Sequence, residues 1–121
     1  METTMTGGAV LEGGWLLQGV DGEGRDVSLR LSDREIARAD FGLTLGRHPQ
    51  LVDRVMDDPS VSRRHLRLSL REGRLLLEDL NSLNGTLLDG DDLPAFEPTA
   101  CGDGQTLRLG RVALTISRVG G

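Results

Sequence analysis

Three short segments of this sequence contain the polar residues best suited to bind an anion. Each lies where an apolar or alternating run meets a loop, and they are Gly46-Arg47, Ser62-Arg63-Arg64-His65 and Asn84-Gly85-Thr86. Arginine has a permanent charge and a planar fork of donors that suits phosphate. Serine and asparagine add neutral hydrogen-bond donors. Brought together, these groups would bind a phosphate group without a metal ion.

Each segment is a weak signal when it is taken alone. Arg47 is by default a solvated surface arginine, and Ser62 an ordinary turn serine. Arg64 could take the place of Arg63, and Asn84 could simply be the first residue of a hairpin turn. The ordered set along one chain is therefore what supports a functional prediction.

The segments between these motifs have the period-two pattern of β-strands. Apolar residues recur at every second position in RDVSLRLS, RHLRLSLR and VALTIS, which indicates half-buried strands. Turn dipeptides such as Glu72-Gly73 and Asp89-Gly90 separate the runs. Only SDREIARAD suggests a helix, predicted as one capped turn from about Ser32. The sequence therefore predicts an all-β domain, either a sandwich or a barrel.

Length and composition limit the chain to one small domain. It has 121 residues and a formal net charge of −5, which argues against general affinity for nucleic acid or acidic membranes. No run approaches the roughly 18 apolar residues of a membrane span, so we expect no membrane insertion. Cys101 is the only cysteine, which excludes an intramolecular disulfide and favours a cytoplasmic location.

The ends of the chain and one internal segment differ from the alternating runs. Residues 1–13 are rich in glycine and small residues and are expected to form a flexible tail, which leaves 14–119 as the folded domain. Residues 89–104 contain two prolines and little periodicity, so we predict mostly loop with at most one short edge strand. Trp15 is expected to pack in or beside the core, and His48 to lie exposed in a loop.

Nearly the whole chain, from about residue 15 to 118, resembles the forkhead-associated (FHA) domain family. The resemblance rests on three ordered motifs, which are Gly46-Arg47, Ser62-Arg63-x-His65 and Asn84-Gly85-Thr86. The segment DGQTLRLGRVALTI is similar to the family's closing strands. The resemblance implies an all-β, FHA-type β-sandwich of about 10–11 mostly antiparallel strands.

The resemblance also implies that the ligand is a phosphothreonine in a protein or peptide partner. This residue carries about −1.5 to −2 charge at neutral pH. Arg47 would supply the cation, Ser62 a hydroxyl donor, Arg63 a second positive group and Asn84 a contact to the peptide main chain. Structural support of the site is expected from three further residues, which are Gly46, His65 and Gly85.

In function, the resemblance implies a bacterial, non-catalytic adaptor in Ser/Thr kinase signalling. A kinase or its substrate is a candidate partner, and no cofactor is expected. One position departs from many relatives, because Leu83 stands where they have threonine. The phosphate contact that this threonine makes in relatives would here be made by a backbone amide or be lost. Phosphate-independent protein docking on the same fold therefore stays open as an alternative.

An enzyme is the weaker interpretation of the same residues. Ser62, His65 and Asp79 are the residue types of a catalytic triad, but no G-x-S-x-G elbow is present. Two histidines and one cysteine show no metal-ligand spacing. Lysine is absent, which excludes a G-x-x-x-x-G-K nucleotide loop. The sequence therefore predicts a binding domain without catalysis or a metal.

Overall fold

The computed structural model describes residues 13–38 and 41–120, which form one helix and eleven strands. In chain order these elements are β1 (Gly14–Val20), β2 (Asp26–Ser32), α1 (Asp33–Arg38), β3 (Leu43–Gly46), β4 (Arg54–Val55), β5 (Leu66–Arg71), β6 (Arg74–Asp79), β7 (Thr86–Leu88), β8 (Asp91–Asp92), β9 (Thr99–Cys101), β10 (Thr106–Leu109) and β11 (Val112–Val119). The predicted flexible tail lies outside the described residues apart from Gly13.

The strands form two sheets. One has five strands in the order β9-β6-β5-β3-β4, and the other has six in the order β2-β1-β11-β10-β7-β8. The neighbouring strands are antiparallel except for β3 and β4, which run parallel. The prediction of an all-β sandwich with about 10–11 mostly antiparallel strands is therefore confirmed.

Both sheets contribute to a single apolar core. Successive side chains of a strand point to opposite faces, so alternate residues such as Leu66 and Leu68 of β5, or Leu114 and Ile116 of β11, are buried in one cluster. Trp15 belongs to this cluster, as expected. The period-two pattern of the sequence thus has its physical cause in one buried face per sheet.

The short helix α1 begins with a capping box. Glu35 N donates to Ser32 Oγ at 2.9 Å, and Ser32 N donates to Glu35 Oε1 at 3.4 Å, which satisfies two amides at the helix start. Ile36 is buried in the core. The predicted capped turn near Ser32 is confirmed.

The segment 89–104 contains more strand than the sequence suggested. Asp89 (φ 50°) and Gly90 (φ 85°) form a tight turn that pairs β8 with β7, and β9 pairs with β6 at the edge of the five-stranded sheet. The prediction of at most one short edge strand is wrong. Strands of two or three residues are too short to show an alternating pattern in the sequence. Their positions depend instead on the partner strands with which they pair.

Candidate functional site

Three loops form a cleft of about 650 Å³ at one end of the sandwich. They are the β3–β4 loop (47–53), the β4–β5 loop (56–65) and the β6–β7 loop (80–85). The cleft is lined by Arg47, Leu51, Pro59, Ser60, Val61, Ser62, Arg63, Arg64, Asn81, Leu83 and Asn84. All four residues predicted to contact the ligand are in this set. It includes three arginines and no carboxylate, so the cleft is a positive region of an acidic chain.

The β3–β4 loop begins in close contact with the β4–β5 loop. Arg47 N donates to Ser62 O at 3.0 Å, and His48 N donates to Arg63 O at 3.3 Å. A Cβ atom at Gly46 would collide with the Arg63 carbonyl oxygen. Gly46 has no side chain, and this allows the two backbones to approach. His48, expected to be exposed, is half-buried.

The guanidinium of Arg47 is oriented by one hydrogen bond. Its Nε donates to Val61 O at 2.9 Å, which fixes the plane of the group. The remaining four N–H groups lie on Nη1 and Nη2, and none makes a hydrogen bond to another described residue. Arg47 can therefore offer a two-pronged contact to an oxyanion without first breaking a hydrogen bond from Nη1 or Nη2 to any residue of 13–38 and 41–120.

The hydroxyl of Ser62 acts as an acceptor toward the β6–β7 loop. Leu83 N donates to Ser62 Oγ at 2.9 Å, so the Ser62 hydroxyl proton can still be donated to a ligand. The backbone amide at Leu83 thus lies beside the Ser62 hydroxyl. Its single N–H is already donated to Ser62 Oγ, so the donor that this pair offers to an anion is the Ser62 hydroxyl proton.

His65 joins the β4–β5 loop, which contains Ser62, to the β6–β7 loop. The imidazole is buried; its Nδ1 accepts from Ser62 N at 3.0 Å, and its Nε2 lies 3.0 Å from Gly85 O. An amide can only donate and a carbonyl can only accept, so the proton is on Nε2. Burial lowers the pKa of His65, which favours this neutral form.

Asp79 supports the β6–β7 loop, a role that was not predicted from the sequence. Its carboxylate accepts from Ser82 Oγ and Thr86 Oγ1, each at 2.6 Å, and from Ser82 N at 3.0 Å. Burial opposes ionisation, but these hydrogen bonds outweigh it and hold the Asp79 pKa below its ordinary value. An aspartate three residues before a serine is a local turn-forming signal that could have suggested this role.

Asp58 gives similar support to the β4–β5 loop. Its Oδ1 accepts from Ser60 N at 2.8 Å and Ser60 Oγ at 2.6 Å, while its Oδ2 accepts from Gly22 N at 2.9 Å. Ser60 Oγ in turn accepts from Arg111 N at 2.8 Å. Burial opposes ionisation here too, yet the hydrogen bonds keep the Asp58 pKa lowered. The carboxylate thus ties the loop to two neighbouring turns.

Asn84 lines the cleft and also braces it. Its Nδ2 donates to Ser60 O at 2.8 Å, which leaves Oδ1 and one N–H for a ligand. The alternative that Asn84 opens a hairpin turn is wrong, because β6 and β7 lie in different sheets. Gly85 has φ 85°, a conformation that favours glycine, and this presents its carbonyl to His65.

Ser62, His65 and Asp79 are close in space but are not arranged as a catalytic triad. The imidazole bonds the backbone amide of Ser62 rather than its hydroxyl, and the Asp79 carboxylate bonds Ser82 and Thr86. Within 13–38 and 41–120, no group of three or more His, Cys, Asp or Glu side chains could hold a metal ion. No helix of that part is long and apolar enough to cross a membrane.

Comparison with known proteins identifies the family of the chain. The family model "FHA domain" matches residues 43–110. The FHA domain-containing protein FhaB of Mycolicibacterium smegmatis is 38% identical over 93 residues, which cover 69% of this chain and 60% of FhaB. The chain thus spans only part of that relative.

Solved structures give the same result. The FHA domain of an Arabidopsis thaliana hypothetical protein superposes with a TM-score of 0.73 at 26% identity, covering 99% of this chain and 97% of that one. A structure from a study of phosphothreonine-dependent FHA domain interactions has a TM-score of 0.61 at 31% identity, with coverages of 86% and 95%. By sequence motifs, family match and fold, this chain belongs to the FHA domain family.

Proposed function

We propose that this chain is a phosphothreonine-peptide-binding module that acts as a non-catalytic adaptor in Ser/Thr kinase signalling. The observation that supports it best is the placement of Arg47 and Ser62 in one positive cleft, each with donors left for a ligand. FHA domains are generally non-catalytic interaction modules, and a structural relative was studied for phosphothreonine-dependent interactions.

The phosphate is bound by charge and by preset donors. Arg47 contributes the cation and a two-pronged contact, Ser62 Oγ donates its proton, and the Leu83 amide orients that hydroxyl by donating to its oxygen. Hydrogen bonds to charged groups contribute about 1.5–3 kcal/mol each. Two or three of them with modest peptide contacts fit a micromolar complex, about −8 kcal/mol.

The rest of the peptide is held by neighbouring groups. Arg63 serves as the second cation, since it lies in the same lining as Arg47. Asn84 offers its amide oxygen and one N–H to the peptide main chain, because its other N–H is bonded to Ser60 O. The partner is a phosphothreonine protein or peptide, and a Ser/Thr kinase or its substrate fits this description.

A phosphate-independent docking domain is the second candidate, favoured by one observation. The Leu83 side chain is 89% exposed in the cleft, where a hydroxyl would have added a phosphate contact. An exposed leucine at a binding site favours apolar contacts with a protein partner. Both candidates use the same cleft and differ in their need for phosphate.

A library of phosphothreonine peptides, each paired with its unphosphorylated twin, tests the proposal. We expect at least one phosphorylated peptide to bind with a micromolar Kd, while its twin binds at least about tenfold more weakly, a difference of about 1.4 kcal/mol. Equal binding of the two peptides throughout the library would favour the docking domain instead.

A further inference from the structure

Within residues 13–38 and 41–120 the two sheets end in four edge strands, and β2 is much longer than the others. It has seven residues, whereas β4, β8 and β9 have two or three. A long edge presents backbone N–H and C=O groups to which a further strand can add, and proteins often protect it with proline or a bulge. β2 contains no proline, and all seven residues pair with β1 in continuous register. It is therefore the edge best suited to pair with another strand.

The even-numbered residues of β2 direct their backbone groups to the open edge, the side of β2 that faces away from β1. Directly after β2, Asp33 N donates to Gly13 O at 2.9 Å, so this odd position bonds toward the β1 side. Alternate residues of an antiparallel strand bond to the same neighbour. The N–H and C=O groups of Asp26, Ser28 and Arg30 therefore point outward.

One of these outward groups already has a partner. Arg30 O accepts from Arg54 Nη1 at 3.0 Å. A carbonyl oxygen has two lone pairs, so it can accept a second hydrogen bond. The backbone groups of Asp26 and Ser28 make no hydrogen bond to a loop or side chain of residues 13–38 and 41–120. The open edge is thus available to a strand over these positions.

The side chains of the open edge are complementary to a second copy of themselves. Asp26, Ser28 and Arg30 are exposed, and the two opposite charges lie two residues before and two residues after Ser28. When two copies of β2 align antiparallel about Ser28, each Asp26 lies opposite the other copy's Arg30. Opposite charges in such cross-strand pairs are stabilising and like charges are destabilising. A two-fold axis forms each contact twice.

The inner side of the open edge adds apolar surface to the same alignment. A groove of about 350 Å³ lies beside the edge, with Val27 and Leu29 on the β2 side and Val55 and Met56 on the other. Val27 and Leu29 are half-buried, and Val55 is 43% exposed. A second β2 aligned about Ser28 would place its own Leu29 opposite Val27 and would remove apolar surface from water.

We propose that β2 is a self-association edge, at which two copies of this chain pair their β2 strands antiparallel about Ser28. The pairing joins the two six-stranded sheets into one continuous sheet. No residue that lines the cleft belongs to β2, so the inference does not rest on the proposed function. A dimer of this kind carries two clefts.

Sedimentation velocity of charge-reversal variants tests the pairing. We expect the parent to dimerise, and Asp26→Arg and Arg30→Asp each to raise the dimer Kd by about tenfold or more, because like charges then face each other. An equimolar mixture of the two variants should form a heterodimer, since one edge is then wholly basic and the other wholly acidic. Ser28→Pro, which removes an outward N–H and leaves the pairing with β1 intact, should be a folded monomer by urea denaturation.

Two comparisons separate edge pairing from general charge repulsion. The chain has a net charge of −5, so general repulsion predicts tighter association for Asp26→Arg, whereas edge pairing predicts weaker association. Arg74→Asp, at an exposed position of β6, changes the net charge as Arg30→Asp does and should associate like the parent. A parent that stays monomeric up to about 1 mM overturns the proposal. Dimers that neither edge variant weakens, or a mixture that forms no heterodimer, overturn it as well.

Discussion

The two turns at the ends of β6 look alike in sequence but are built differently. Glu72-Gly73 precedes β6 and Asn84-Gly85 follows it. Glu72 (φ 53°) and Gly73 (φ 78°) form a two-residue hairpin between paired strands of one sheet. A Cβ atom at Gly73 would meet nothing within 4 Å. Local backbone preference and strand pairing are enough to explain this turn.

The β6–β7 loop depends instead on groups distant in the sequence. His65 Nε2 reaches Gly85 O, Ser62 Oγ accepts from the Leu83 amide, and Asn84 bonds Ser60 O. These partners are 20 to 24 residues apart. The hairpin is therefore determined by local sequence, whereas the cleft is determined by tertiary contacts. Substitution of a residue whose hydrogen bonds hold the cleft loops in place should change both the stability of the fold and the affinity for a ligand.

The largest effect should come from Asp79→Ala, which removes the carboxylate at the end of β6, next to the β6–β7 loop. Two hydroxyls and one amide would lose their charged acceptor, at a cost of about 3 kcal/mol or more in the free energy of unfolding. Urea denaturation measures this change. Asp57→Ala, at an exposed position, is the control and should change stability by less than about 0.5 kcal/mol. Similar stabilities of the two variants would contradict the role given to Asp79.

A smaller and more selective effect is expected from a matched pair of glycine substitutions. Gly73 and Gly85 have φ angles of 78° and 85°, and neither has an obstructing atom near an added Cβ. Gly73→Ala and Gly85→Ala should therefore each lower the free energy of unfolding by about 1–2 kcal/mol. Only Gly85→Ala should also weaken phosphopeptide binding, because the Gly85 carbonyl is bonded to His65. Equal peptide affinities for both variants would show that the cleft does not depend on this carbonyl.

The strands, the capped helix and the set of residues that line the cleft were predicted from the sequence better than the hydrogen bonds within the site. Alternating leucines such as Leu66 and Leu68 indicated the strands because one face of each sheet is buried. The serine at Ser32 indicated the capped helix because both partners of the cap are three residues apart. These features depend on nearby residues, which a sequence displays directly.

Other features could not be predicted because they depend on the folded backbone. The motif containing Ser62 and His65 did not reveal that the ring bonds the backbone amide of Ser62 rather than its hydroxyl. The close approach at Gly46 requires the β4–β5 loop to lie against β3. The substitution at Leu83 was evident in the sequence, but the amide contact to Ser62 is a tertiary feature.

The most direct test of the central claim is a calorimetric comparison of Arg47→Ala with Arg74→Ala. Arg47 lines the cleft, whereas Arg74 is an exposed arginine beside the Glu72-Gly73 hairpin. Each variant is titrated with a phosphothreonine peptide that the parent binds, and folding is verified by urea denaturation. We predict that Arg47→Ala stays folded and loses detectable binding, while Arg74→Ala binds like the parent. A folded Arg47→Ala variant that binds the phosphopeptide as tightly as the parent would contradict the account.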